Sequence, residues 1–392
     1  MAAERSPMAK PNAGLRVGFV GCGRAAQTLH LPALRRLVDW HVVAAADSDE
    51  GRLKETATRF GIPRCYADYQ ALLANPGVEV VAVCVPPRLH AEVALAALAA
   101  GKHVFIEKPL AVTLGECDEL LEQCARSPHK VTVGFNLRWH RLVRRTREMI
   151  QDGTLGDLEL IRTSFTTGGR MKTGSPAWSS WRTPGGGVLF DLGVHHFDLW
   201  RYMTGAEVLE ISAINRSHEA GGQSSIVEAR MDSGLLVTSV FSNQATESNE
   251  LEILGSKGSI RVSCYRFDGL EFVSTGTSGG LQRFASKVAR VLREIPGAIA
   301  QARRGGDFHS AYQAEWQAFG QAIRNDTPVE CSLEDGRRAV EVAIAASVSD
   351  SQCRSVQIAK SRNGGMETTA SLSVGEVKGP IKNATDLSLG GR

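Results

Sequence analysis

Lys108 stands in Glu107-Lys108-Pro109, directly after the apolar run His103-Val104-Phe105-Ile106. Such a run reads as a buried strand, and an open α/β sheet places its chemistry just beyond the carboxyl ends of its strands. An amine at that point can hydrogen-bond a ligand hydroxyl and exchange protons with it, while Pro109 fixes the backbone where the strand stops. A second group follows Gly185-Gly186-Gly187, in Asp191-Leu192-Gly193-Val194-His195-His196-Phe197-Asp198. On a helix Asp191 and His195 share a face four residues apart, so the carboxylate can orient the imidazole. An imidazole of ordinary pKa, near 6.5, suits removal of a proton from a hydroxyl. The Gly run lets backbone pass close to a ligand. His196 points away from His195 and reads as structural. A metal held by Asp191, His195, His196 and Asp198 is disfavoured, because those side chains do not converge from one helix.

The sequence Gly21-Cys22-Gly23-Arg24-Ala25-Ala26 follows an apolar run and opens a helical one. Gly21 permits the tight turn, Gly23 lets the backbone approach a pyrophosphate, and Ala26 keeps helix and strand close. Asp47, at the end of the next strand, can accept hydrogen bonds from both adenosine ribose hydroxyls and would repel a 2′-phosphate. That favours NAD; nearby Arg52 leaves NADP open. The expected cofactor contacts are Gly21, Gly23, Arg24, Ala25, Ala26, Asp47, Pro86, His90, Glu107 and Lys108. Lys108 can then reach the nicotinamide ribose, and hydride transfer completes the chemistry of Lys108 and His195. Arg138 and Trp181 are candidate substrate contacts beside Asp191 and His195, by hydrogen bonding and ring stacking. An interdomain salt bridge explains Arg138 nearly as well.

These residues need a frame. Strand-like runs at 15–20, 41–46, 78–85, 103–106 and 130–133 alternate with helical stretches at 25–38, 49–60, 89–100 and 114–125. The rhythm predicts a parallel Rossmann sheet covered on both faces over 15–134. Alternating segments at 226–231, 235–241, 250–254 and 259–264, with helices near 311–323 and 333–348, predict an α+β domain over 135–360 with a large, mostly antiparallel open sheet. One face of that sheet is free to meet a partner subunit. Residues 276–306 read as an amphipathic insertion, 1–14 as an N-terminal tail and 361–392 as a mobile C-terminal tail.

Composition is that of an ordinary soluble protein. Of 392 residues, 43% are hydrophobic and 22% charged, with a formal net charge of +3, so nothing calls for nucleic acid or a membrane surface. No apolar stretch approaches a membrane span, and Met1 to Lys10 lacks the apolar core of a signal peptide; the expected location is cytoplasmic. The eight cysteines are scattered, without a Cys-X-X-Cys pair. They read as reduced core or near-core residues.

Taken together, the Gly-X-Gly-X-X-Ala loop, Pro86-Pro87 with His90, Ala100-Gly101-Lys102-His103-Val104, Glu107-Lys108-Pro109 and the Gly run with Asp191 and His195 resemble the glucose-fructose oxidoreductase, inositol dehydrogenase and rhizopine-catabolism (Gfo/Idh/MocA) family over about 15–359. The resemblance implies an NAD(P)-dependent oxidoreductase acting on a secondary hydroxyl, or the ketone, of a sugar, inositol or related polyol. It gives Lys108 cofactor positioning and proton handling, Asp191 substrate binding and orientation, and His195 the general acid or base. It also implies a homodimer or homotetramer built on the open sheet. His196 departs from the pattern, where relatives frequently carry Asp. Two alternatives stand beside this reading. One is a redox-neutral enzyme that oxidises its substrate transiently with bound NAD, and the other a non-catalytic dinucleotide-binding regulator.

Overall fold

The computed structural model describes residues 14–168, 180, 183, 185–217, 223–266, 268–275 and 306–358. Six short strands form the first sheet: β1 (Leu15–Val20), β2 (Trp40–Ala46), β3 (Cys65–Tyr66), β4 (Val80–Val83), β5 (His103–Glu107) and β6 (Val131–Gly134). Their order is β3-β2-β1-β4-β5-β6, and every neighbouring pair is parallel. All four residues of β4 are buried, which requires helices on both faces. The order reverses between β1 and β4, and a doubly wound sheet binds its ligand at that switch.

The helices between these strands begin and end on local signals. α2 (Glu50–Phe60) is capped by Asp49, whose side chain accepts from the Arg52 N–H, and it stops at left-handed Gly61. α4 (His90–Ala99) packs on β5 and α5 (Leu114–Ala125) packs beside α4, and Thr113 and Glu116 form a capping box at the start of α5. The single helix expected over 25–38 is instead a π-helical turn (Ala26–His30) running into the short α1 (Leu31–Leu34). Pro32, which has no N–H to donate, falls where the hydrogen-bond pattern changes. The two-residue β3 and the single-turn α3 (Tyr69–Leu73) are too short to leave a periodic trace.

Beyond α6 (Arg141–Gln151) the second sheet begins with β7 (Leu158–Thr166), followed after α7 (Val194–Thr204) by β8 (Val208–Ser217), β9 (Gln223–Met231), β10 (Leu236–Ser242), β11 (Ser248–Gly255), β12 (Gly258–Ser263) and β13 (Leu270–Ser274). The order is β13-β12-β11-β7-β10-β9-β8-β14, with β14 at Val356–Gln357. Only the β7–β10 pair is parallel among the described residues. Inward residues such as Val227, Val237, Phe241, Leu251 and Ile253 are buried. On the opposite face Ile214 pairs in register with Ile226, and Ile226 with Val240; all three are exposed.

α8 (Gly306–Asn325) does not stay with the second sheet. It lays Trp316 against Phe105 of β5, rings stacked at 4.3 Å, and against Trp40 of β2 at 4.9 Å. α9 (Leu333–Gln352) opens with a Ser332–Asp335 capping box and packs on α5, α7 and β8. The expected amphipathic segment lies, up to its last residue, outside the described residues, as do the N-terminal tail up to Gly14 and the whole C-terminal tail. Among the described residues no helix is long and apolar enough to cross a membrane.

Candidate active site

The glycine loop is built by close approach. Gly21 has φ of 94°, and a Cβ there would lie 2.4 Å from the Cys84 carbonyl oxygen at the end of β4, so no other residue fits. At Gly23 a Cβ would meet nothing within 4 Å, leaving open space where a pyrophosphate approaches a helix start. Ala26 is fully buried, Ala25 partly so, and Arg24 is exposed. Asp47 is fixed in advance: one oxygen accepts from the Cys22 N–H at 2.8 Å, the other from the Asp49 N–H at 2.9 Å. Each oxygen keeps a lone pair for a ribose hydroxyl. The residues present therefore fit a dinucleotide. Burial, then the Asp47 charge, pushes the Cys22 thiol up to about 12, so it stays protonated beside the loop.

The Lys108 ammonium donates to both the Asp191 side-chain oxygen Oδ1 and the Asp191 carbonyl, each at 2.8 Å. Asp191 sits in a π-helical turn (Leu189–Gly193) that leads into α7. The sequence expectation that Asp191 orients His195 gives way here. The wider π-turn breaks the four-residue helical spacing, and the carboxylate is taken by Lys108. His195 is nearly buried, its Nδ1 has no hydrogen-bond partner, and its ring lies 6.1 Å from Phe135 and 5.9 Å from Phe165. Burial first, then the charges of Lys108 and His196, holds its pKa well below the ordinary value. The ring is thus neutral at physiological pH.

The first Gly of the run preceding Asp191 has φ of 74°, and a Cβ on Gly185 would fall 2.2 Å from Val112 Cγ1. The run thus crosses directly over the segment after Lys108. His196 is fully buried, between the Thr163 hydroxyl at 2.8 Å and Asn249 Oδ1 at 3.2 Å. Burial lowers its pKa to about 4. It supports the fold beneath His195.

Two further expected contacts, His90 and Glu107, take other places, while Pro86 keeps an exposed side. His90 is 1% exposed, with its ring nitrogens 2.6 Å from the Pro109 carbonyl oxygen and 2.9 Å from that of Val85. It ties the segment after β4 to the segment after β5 and presents no free nitrogen to a cofactor. Pro86 is partly exposed, and its carbonyl accepts from the N–H of Leu89, three residues on. Glu107 turns inward: Oε2 accepts from the Lys108 N–H at 3.0 Å and Oε1 lies 2.5 Å from His30 Nε2. Trp316 donates to His30 Nδ1 at 3.0 Å, so the ring proton is on Nε2 and is given to Glu107.

Arg138 is likewise committed. Its Nε and Nη2 donate to the two Asp198 oxygens at 2.7 and 2.5 Å, its Nη1 to the Glu330 carbonyl at 3.0 Å, and Asp335 lies 3.0 Å from Nη2. Burial, the largest single effect, pulls the guanidinium pKa down, but the Asp198 charge and hydrogen bond together with Cys331 and the Asp335 charge outweigh it and hold it well above its usual value. The salt bridge weighed against a substrate role is the one present, because a buried guanidinium needs a buried carboxylate. Trp181 lies outside the described residues.

His30, Trp316 and the neighbouring Tyr312 and Glu315 were missed from sequence. No spacing links a histidine on the loop helix to a glutamate 77 residues later. Among the described residues no group of three or more His, Cys, Asp or Glu could hold a metal ion. All eight cysteines are free. Cys65 and Cys353 are exposed, against the core or near-core expectation, because Cys65 lies on an edge strand and Cys353 ends α9 in the left-handed conformation.

Residues 15–135 match a profile described as the oxidoreductase family, NAD-binding Rossmann fold, and residues 143–261 match the GFO/IDH/MocA C-terminal domain. Over 353 residues the chain is 27% identical to myo-inositol 2-dehydrogenase of Thermotoga maritima, covering 88% of this chain and 98% of that one. It is 31% identical to trans-1,2-dihydrobenzene-1,2-diol dehydrogenase of Mus musculus, covering 63% of this chain and 74% of the relative. Among solved structures, levoglucosan dehydrogenase in complex with NADH and levoglucosan superposes with a TM-score of 0.73 at 23% identity, covering 88% of this chain and 100% of that one, a likeness of fold. The glycine loop at the β1/β4 switch and the matches to both halves lead to one conclusion: this chain belongs to the Gfo/Idh/MocA family of NAD-binding oxidoreductases.

Proposed function

We propose that this dehydrogenase oxidises a secondary hydroxyl of a sugar, inositol or related polyol, or reduces the corresponding ketone, in the cleft between Lys108, Asp191 and His195. The observation that carries this reading is the Lys108–Asp191 pair at 2.8 Å with the unpartnered Nδ1 of His195 on the turn that follows. An ammonium has three protons to donate, and Asp191 takes two. The third is free for a substrate oxygen. Lys108 thereby holds the hydroxyl, and the neutral His195 ring removes its proton. NAD, when bound, supplies the hydride acceptor. Gly21, Gly23 and Ala26 shape the pyrophosphate cradle, Arg24 and Ala25 line its rim, and Asp47 takes the adenosine ribose. Substrate names among the relatives, inositol and a dihydrodiol, support a ring bearing vicinal hydroxyls.

Self-association as a homodimer or homotetramer fits the same reading. The exposed row Ile214, Ile226 and Val240, at 73%, 52% and 42% exposure, gives the open sheet an apolar face that a second copy would cover. Light scattering on the purified protein checks it, and a monomer at micromolar concentration refutes it.

The function is tested by mass spectrometry of the purified protein for bound dinucleotide, followed by NADH absorbance across sugars and inositols. NADH formation that is lost in Lys108→Ala and His195→Ala supports the dehydrogenase. Bound NAD without net NADH turns the reading to transient oxidation.

A further inference from the structure

Around the adenosine end of the cofactor site two carboxylates share one guanidinium. Arg52 Nη2 lies 2.8 Å from Asp49 Oδ2, and Nη1 lies 3.6 Å from Asp47 Oδ2. Asp47 is nearly buried and doubly anchored by backbone N–H groups, so it cannot turn away. Asp49 and Arg52 are both about half exposed, with side-chain exposures of 49% and 45%. The three side chains carry a net charge of −1, at the strand end where a doubly wound sheet receives the adenosine ribose. An arginine one turn into the following helix is the group that would take a 2′-phosphate by paired N–H donors. Here Nη2 is taken by Asp49 and Nη1 is turned towards Asp47.

We propose that Asp49 is a second cofactor-selecting residue: by holding Arg52 it withholds the guanidinium from a 2′-phosphate, so that NAD is chosen by two carboxylates instead of Asp47 alone. Asp49 touches no reacting atom and acts through Arg52. It is also the cap of α2, accepting from the Arg52 N–H at 2.9 Å, and serine can keep that cap while removing the charge. Without Asp49 the cluster is neutral and Arg52 can turn outward. The inference rests on dinucleotide binding at the glycine loop and is independent of which polyol is oxidised.

The test is titration of the full-length protein with NADH and with NADPH, read by nicotinamide fluorescence, for the parent, Asp49→Ser, Arg52→Ala and the double variant. In Asp49→Ser, NADPH binding should tighten about tenfold, the scale of a gained charge-assisted contact, with NADH within about twofold of the parent. In Asp49→Ser/Arg52→Ala the gain should vanish. An unchanged NADPH affinity in Asp49→Ser overturns the proposal. So does a gain that survives loss of Arg52, since simple removal of negative charge would then explain it, and so does an equal loss of both cofactors, which would reduce Asp49 to a helix cap. A parent that binds neither dinucleotide sinks the cofactor site and the inference with it.

Discussion

Replacing Asp198 separates the two roles that Arg138 could have. Asp198 is fully buried, the Arg138 side chain is 4% exposed, and two hydrogen bonds of 2.7 and 2.5 Å join them. Asp198→Ala leaves a buried guanidinium with Asp335 at 3.0 Å and the Glu330 carbonyl as remaining partners. Breaking a buried pair from one side costs about 3–5 kcal/mol, and the surviving partners place the expectation at the lower end. For a large domain each kcal/mol shifts Tm by about 2–4 °C, so a fall of about 6–12 °C is expected in differential scanning calorimetry. Arg138→Met should fall by a similar amount, since it strands the Asp198 carboxylate. The double variant Arg138→Met/Asp198→Leu should recover most of the loss, because apolar replacement of a whole buried pair is often near neutral. NADH affinity of the folded fraction should change little. A Tm within about 2 °C of the parent for Arg138→Met, together with a raised KM for the polyol, would refute this reasoning and return Arg138 to the substrate.

Three further outcomes follow from the same contacts. Leucine at His30 removes the donor to a buried carboxylate oxygen, so His30→Leu should destabilise by about 1.5–3 kcal/mol in urea titration, and no change would mean Glu107 has another partner. Glu315 is buried, both its oxygens lack partners, and burial followed by the Glu107 charge holds its carboxyl pKa well above the ordinary value. A carboxyl whose folded pKa is raised costs stability as pH climbs from its unfolded value, about 1.4 kcal/mol per unit until the folded value is reached. Glu315→Gln should therefore match the parent near pH 4 and become increasingly the more stable protein towards pH 8; a deficit at every pH would show that the acid itself is required. For His195, burial and the Lys108 charge depress the pKa, so ring-nitrogen NMR should show a neutral imidazole from pH 6 to 8. Lys108→Met should move its titration upward, and an unmoved titration would separate the two residues.

How much of this was legible in the sequence depended on the range of the interaction that fixes each part. The strands at 15–20 and 103–107 and the helices at 50–60 and 114–125 announced themselves, because burial of a face leaves a period of two or three to four residues in the chain itself. The glycine loop was legible for a related reason: Gly21 answers to a carbonyl of the adjoining strand, and only glycine can sit there. Strands β7 and β8 escaped, since their runs interleave Glu, Arg and Asn on a half-covered sheet and the alternation is weak. Polar pairing was the least legible. Lys108 and Asp191 are 83 residues apart and Arg138 and Asp198 are 60 apart, and no local pattern says which carboxylate a cation will meet. An arginine beside a tryptophan looks the same whether it faces a sugar or a buried aspartate, because the residue types that bind polyols are also those that satisfy one another when a helix covers them. The chain could thus single out Lys108, Asp191 and His195 as candidates, while the pairing of Asp191 with Lys108 instead of His195 goes with the π-turn at Leu189–Gly193, whose hydrogen-bond register departs from α-helical spacing.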